Sequence, residues 1–201
     1  SAQAAYAQNE YRNALIDKRI ECGLLAKAGK NQFYFTNLLQ FTEWCVEHDK
    51  LQTAQENLLE LQELEGKLEN LSNETKAKRY QIEAKLHTVT QQNKNAVNAL
   101  MSAFNLYKDT DQYEEAYKMA NSLGTAHSKA KEYNEAIETF TNAKIFAQKA
   151  QQRQNPQGEN PTEPQKYWPA IVKGLENKIN YLENHMEPQN NPDAVEKVAW
   201  L

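Results

Sequence analysis

Proline is absent from the first 155 residues. All six prolines (Pro156, Pro161, Pro164, Pro169, Pro188 and Pro192) fall in the last 46. Glycine is scarce too, at six in 201 residues. A stretch poor in both, and rich in Ala, Leu, Glu, Lys and Gln, excludes frequent tight turns and permits long helices. Only two cysteines occur, Cys22 and Cys45, too few for a disulfide framework. Both sit among apolar neighbours in helical patterns, so buried free thiols are expected, with a single disulfide as the alternative. No apolar run approaches the ~18 residues that would span a membrane, and no signal peptide is visible. The chain opens on Ser rather than Met, which fits removal of an upstream region. Lys and Arg number 23 against 27 Asp and Glu, a net charge of −4, so no basic field argues for nucleic acid.

What is abundant is amide. The chain carries 21 Asn and 18 Gln, nearly a fifth of its length, which leaves helix faces rich in neutral hydrogen-bonding groups. Its apolar content of 40% and its length suffice for one domain with a sizeable core, alone or with a short appendage. No strand-like alternation occurs, so the fold class is all-α. Apolar spacing predicts helices over about 3–28, closed by Gly29, and over about 32–48. The next helix starts after Asp49 and carries Leu58, Leu61, Leu64, Leu68 and Leu71, a short coiled-coil seam. Ser72–Asn73 reads as either a break or a cap. A long segment over about 74–107 follows, with Thr88–Thr90 as its candidate interruption, and then helices over about 112–130 and 133–152.

Residues 151–165, QQRQNPQGENPTEPQ, have linker composition. The expected division is a helical array over 1–155, a Pro/Gln/Asn-rich linker over 156–165, and C-terminal helices over 166–201 that cap the array. Pro169 suits the first turn of a helix ending near 186, and a last short helix over about 192–200 carries Trp200 and Leu201. Capping is the main expectation for Tyr167, Trp168 and this tail; docking on a partner is the other.

The segment 111–150 stands out. Leu123 and Gly124 lie on its first helix, with His127 three residues beyond the glycine. Tyr133 opens the second helix, Ala136 and Phe140 follow four apart, and Ala120 and Ala143 are small flanking positions. Gly124 and Ala136 lack bulk, so two helices can approach at the short end of the ~8–10 Å packing range. This pattern resembles a tetratricopeptide repeat. It departs from that pattern at His127 (usually aromatic), Ala120 (usually Trp) and Gln148 (usually Pro). A weaker match lies at Leu38, Phe41, Cys45, Ala54, Leu58 and Leu61, with Thr42 in the glycine position. Ala54 and Ala136 are 82 residues apart, which is not a multiple of the usual ~34. A third register (Leu100, Phe104, Tyr107, Ala116, Ala120) overlaps the strong one and cannot stand beside it as a full repeat.

The resemblance implies a right-handed array of antiparallel hairpins, with about seven or eight helices and a long central hairpin. It implies a non-catalytic module that binds another protein, as an adaptor, chaperone-like or regulatory protein. A bacterial effector, or a regulator of one, is a concrete version, cytoplasmic or delivered into a host cytosol. By position, the groove residues carried over are Lys118, Asn121, Ser122, Thr125, Ser128 and Lys129, with Thr36, Leu39, Gln40, Glu43 and Glu47 as counterparts. The clamp with which some family members hold a C-terminal carboxylate is not reproduced.

No catalytic residue, cofactor or metal ligand is implied. His48, His87, His127 and His185 share no metal-ligand spacing. Asp109, Asp111, Glu114 and Glu115 lack the glycine of a calcium loop and read as a turn plus an acidic first helical turn. Neither a phosphate loop nor a nucleophile elbow occurs. The alternative function is a structural coiled-coil protein that self-assembles through 51–107; an enzyme without a recognisable motif ranks below both.

Overall fold

The computed structural model describes residues 31–154 and 167–185, together with Asn13, Asp17, Ile20, Glu21, Gly23 and Leu24, whose backbone is helical. The remainder of the helix expected over 3–28, the linker 156–165 and the last helix expected over 192–200 lie outside the described residues. Seven helices fill these residues, and no strand occurs among them. They are α1 (Asn31–Glu47), α2 (Leu51–Lys67), α3 (Asn73–Val89), α4 (Asn93–Asn105), α5 (Tyr113–Lys129), α6 (Tyr133–Gln154) and α7 (Tyr167–His185). The expected long segment over 74–107 is thus two helices of 17 and 13 residues, parted at Thr90–Gln92. The second helix of the strong hairpin runs on to Gln154, two residues beyond its expected end near 152. Contacts divide the chain into two compact units, 1–86 and 87–201.

The first unit is built on α1, which buries eight of its residues: Tyr34, Phe35, Leu38, Leu39, Phe41, Thr42, Cys45 and Val46. They join Ala54, Leu58 and Leu61 of α2, and Ile82 and Leu86 of α3, in one core. Cys45 is a buried free thiol there, as expected. The leucine seam does not continue as a helix. It stops at Lys67, where Leu68 turns to an extended conformation, and Leu64, Leu68 and Leu71 pack against the same core. Ser72 proves to be a cap: the Thr75 N–H donates to its hydroxyl oxygen at 3.2 Å, satisfying one orphan donor of α3. Arg79 is buried, but its guanidinium donates to Glu65 at 2.5 Å and to Glu83 at 2.9 Å, so the charge is matched.

The second unit is built on α6, whose Ala136, Ala143, Ala147 and Ala150 are all buried. This stripe of small side chains lets α5 and α7 both pack against it. The tightest point is between α5 and α6. A Cβ placed on Gly124 would stand 2.8 Å from Cδ1 and Cε1 of Phe140, closer than carbon atoms approach without displacement. On α7, Trp168, Leu175 and Leu182 recur every seventh residue and are buried against α6. Trp168 is tied further. Its Nε1–H donates to Gln154 Oε1 at 2.7 Å, and its ring meets Tyr117 edge-on at 5.7 Å.

Three connections share one geometry. Asp49, Gln91 and Lys131 each take a left-handed conformation, with φ of 59°, 60° and 62°. In each case the next N–H donates five residues back: Lys50 to Cys45, Gln92 to His87, and Glu132 to His127, at 2.7–2.9 Å. This is the six-to-one bond with which a helix end satisfies its last carbonyls. Two of the turns carry a second clasp. His87 Nδ1 lies 2.9 Å from Gln92 Oε1, and His127 Nδ1 lies 2.8 Å from Glu132 Oε2. Five residues after each left-handed position stands a buried alanine, at 54, 96 and 136. The interval of 82 residues between Ala54 and Ala136 is therefore 42 plus 40, with Ala96 between.

Helix propensity alone would make Gly124→Ala stabilising by about 1 kcal/mol. The Phe140 ring reverses that sign, because it is buried and must move: a net loss of about 1–3 kcal/mol is expected by urea denaturation. A more stable variant would show that the ring yields freely.

Candidate functional site

The residues carried over from the repeat pattern fall in two places, one in each unit. In the first, Leu39 does not line an open face: it is buried in the α1–α3 core. A 3.6-residue period puts Leu38, Leu39 and Thr42 on the same side of α1, so the apolar stripe is wider than the groove assignment allowed. Thr36 and Gln40 are exposed, and the Thr36 hydroxyl donates to the Gln32 carbonyl at 3.1 Å. Glu43 is occupied by α3, accepting from Lys78 at 2.7 Å and from Lys85 at 2.6 Å. Glu47 adds a longer contact to Lys85, at 3.6 Å. Burial pushes the Glu43 carboxyl up, but hydrogen bonds and charge from both lysines outweigh it and hold the group below its ordinary pKa. Burial likewise opposes the Lys85 ammonium, and Glu43 and Glu47 outweigh it, holding Lys85 above its ordinary value.

The second place is more open. Lys118 on α5 is held by Glu114 at 3.0 Å and Glu115 at 2.9 Å, so it covers the acidic first turn of its own helix. Burial would lower the Lys118 pKa, yet these two carboxylates raise it. One to three turns further along α5, Asn121, Ser122, Thr125 and Ser128 are half-buried, and Lys129 is exposed. Thr125 and Ser128 form one wall of a cleft of about 380 Å³. Phe140 of α6 closes it on one side, and Asn177, Lys178, Tyr181 and Leu182 of α7 form the facing wall. The Thr125 hydroxyl donates to the Asn121 carbonyl at 2.9 Å. The Asn121 side chain reaches α7, where Lys178 Nζ donates to its Oδ1 at 2.9 Å. The same ammonium lies 5.0 Å from the centre of the Phe140 ring. Burial lowers the Lys178 pKa, and among the described residues no carboxylate offsets it.

Three of the expected residues (Asn121, Thr125 and Ser128) thus meet around one cleft, with Lys118 one turn away. Half of the cleft was not foreseen, because α7 was expected mainly as a cap, with docking on a partner as the alternative, and not as a wall of the same groove as α5. A signal was present. Positions 168, 171, 175, 178 and 182 alternate steps of three and four, an apolar seam in which only Lys178 is charged. Among the described residues, no three His, Cys, Asp or Glu side chains stand close enough to hold a metal ion, and no helix is long and apolar enough to cross a membrane. The chain matches no protein-family model and no curated protein.

The ion pairs at Glu43 have a pH signature. A depressed carboxyl pKa contributes stability that is present above the unfolded value of ~4.3 and is lost as pH falls through the folded one. The raised Lys85 pKa contributes stability that is full below ~10.4 and is lost as pH rises through its folded value. With both lysines partly in solvent, Glu43→Gln is expected to cost about 1 kcal/mol or less at neutral pH. Urea denaturation from about pH 7 down to about pH 3 should show that deficit closing below ~4. A deficit of constant size would count against the ion pairs.

Proposed function

We propose that the chain carries three tetratricopeptide-like repeats, α1–α2, α3–α4 and α5–α6, followed by α7, and that it acts as a non-catalytic module binding another polypeptide. The repeat reading is supported by the three identical turns and by 17-residue helices before each of them. It is supported as well by the positions 42/54/61, 84/96/103 and 124/136/143, which hold Thr, Ala and Leu, then three alanines, then Gly and two alanines. All nine are buried. Steps of 12 and 7 residues recur in each set. The repeat is longer than the usual ~34 residues because the first helices are extended.

The observation that carries the binding reading is the α5–α7 cleft. It opens on the helix face that such repeats present to partners, and it combines an apolar floor with hydroxyl, amide and ammonium groups. Self-assembly through 51–107 has less support. Leu58 and Leu61 are buried, and Leu64, Leu68 and Leu71 pack on the same core, so the seam is already covered within the chain.

A photo-crosslinking side chain placed at Ser122 or Lys129, and at the exposed Glu138 of α6 as control, tests the reading in extracts of the source cells. Discrete protein adducts are expected from the two α5 positions and not from Glu138. Identical adducts from all three, or none from any, would count against a groove on α5.

A further inference from the structure

Resting on that reading, we propose that the α5–α7 cleft recognises an internal Asp or Glu side chain of the partner beside a large apolar one, the carboxylate on Lys178 and the apolar group on Phe140 and Leu182. The argument starts from the α7 seam. Every other seam position from Trp168 to Leu182 is apolar and turned towards α6, whereas position 178 places an ammonium over an aromatic ring. Lys178 itself is exposed, so its ammonium stays within reach of an incoming group. What it meets is one neutral amide oxygen, Asn121 Oδ1, and the face of Phe140. On the same helices Lys118 and Lys144 reach carboxylates of the chain itself, while Lys149, like Lys178, lies over aromatic rings, those of Tyr113 and Phe146. Among the described residues Lys178 is paired with no carboxylate, so a negative charge brought by a partner would complement it.

The rest of the lining defines what would bring that charge. Phe140 and Leu182 are buried and apolar, so a bulky hydrocarbon side chain gains by covering the portion that the cleft leaves open. Ser128 and Asn177, on opposite walls, offer hydrogen-bonding groups beside the ammonium. One ammonium matches one carboxylate. A phosphate or a nucleic-acid backbone would call for several cations or an arginine fork, and the chain's net charge is −4. A cleft of about 380 Å³ has room for one large side chain and a carboxylate, not for a folded domain.

The test uses the full chain, immobilised, and a library of random peptides displayed by their C-terminal ends on phage, so that each peptide carboxylate belongs to Asp or Glu. Wild type is expected to enrich peptides with an acidic residue within four positions of a large apolar residue. A synthetic peptide from that pool should bind Lys178→Met about tenfold more weakly, and Lys178→Arg more nearly as wild type does. Changing the peptide's Glu to Gln should cost wild type a similar factor and cost Lys178→Met little. Methionine suits the apolar seam, so this variant is expected to melt no lower than wild type, which separates lost binding from lost folding. Enriched peptides without acidic residues, or held equally by Lys178→Met, would overturn the carboxylate assignment and leave the polypeptide-binding reading standing. No enrichment at all would overturn both.

Discussion

The approach of Phe140 to Gly124 is the contact on which the second unit depends. A missing Cβ at position 124 makes room for the ring, and the ring in turn fixes how closely α5 lies against α6. The same ring floors the cleft and lies beneath the Lys178 ammonium. Core and site are therefore joined through one side chain. The alanine stripe of α6 extends the principle along the helix. Small residues let backbones close up, while Phe140, Trp168, Leu175 and Leu182 are the large apolar side chains buried in the same core.

The turns show a second constraint. Left-handed backbone costs a non-glycine residue about 1–2 kcal/mol, and the chain adopts it three times without glycine. Each turn recovers stability through its six-to-one backbone bond, and two of them also through a histidine that reaches the residue before the next helix. His127 has a local role in this: it clasps Glu132. At the first turn the equivalent position is Cys45, buried in the core, and the left-handed residue is Asp49, a type that tolerates this conformation better than most.

The helices from Asn31 to Gln154 were legible because proline is absent and apolar spacing is regular, and Gly124, Ala136 and Phe140 marked the tightest packing. The correspondence of Gln91 and Ala96 with the turns at Asp49 and Lys131 was not legible, for a definite reason. Glu83 stands one residue before Ala84, where Phe41 precedes Thr42 and Leu123 precedes Gly124. Its carboxylate serves the buried Arg79, so an apolar signature was replaced by an ion pair that only the fold reveals. The groove assignment failed at Leu39 because periodicity gives the direction of a buried stripe better than its width. It missed the α7 wall because a tail beyond a proline-rich segment reads as an appendage until Trp168, Leu175 and Leu182 are seen packed on α6.

Hydrogen exchange on the full chain, alone and saturated with a polypeptide that it captures, examines the cleft most directly, since binding there must slow amide exchange on the two helices that form its walls. Added protection confined to 113–129 and 167–185, with α1 and α2 unchanged, is the predicted result. Protection confined to α1–α3, or a captured polypeptide that leaves α5 and α7 unaltered, would contradict binding at this cleft.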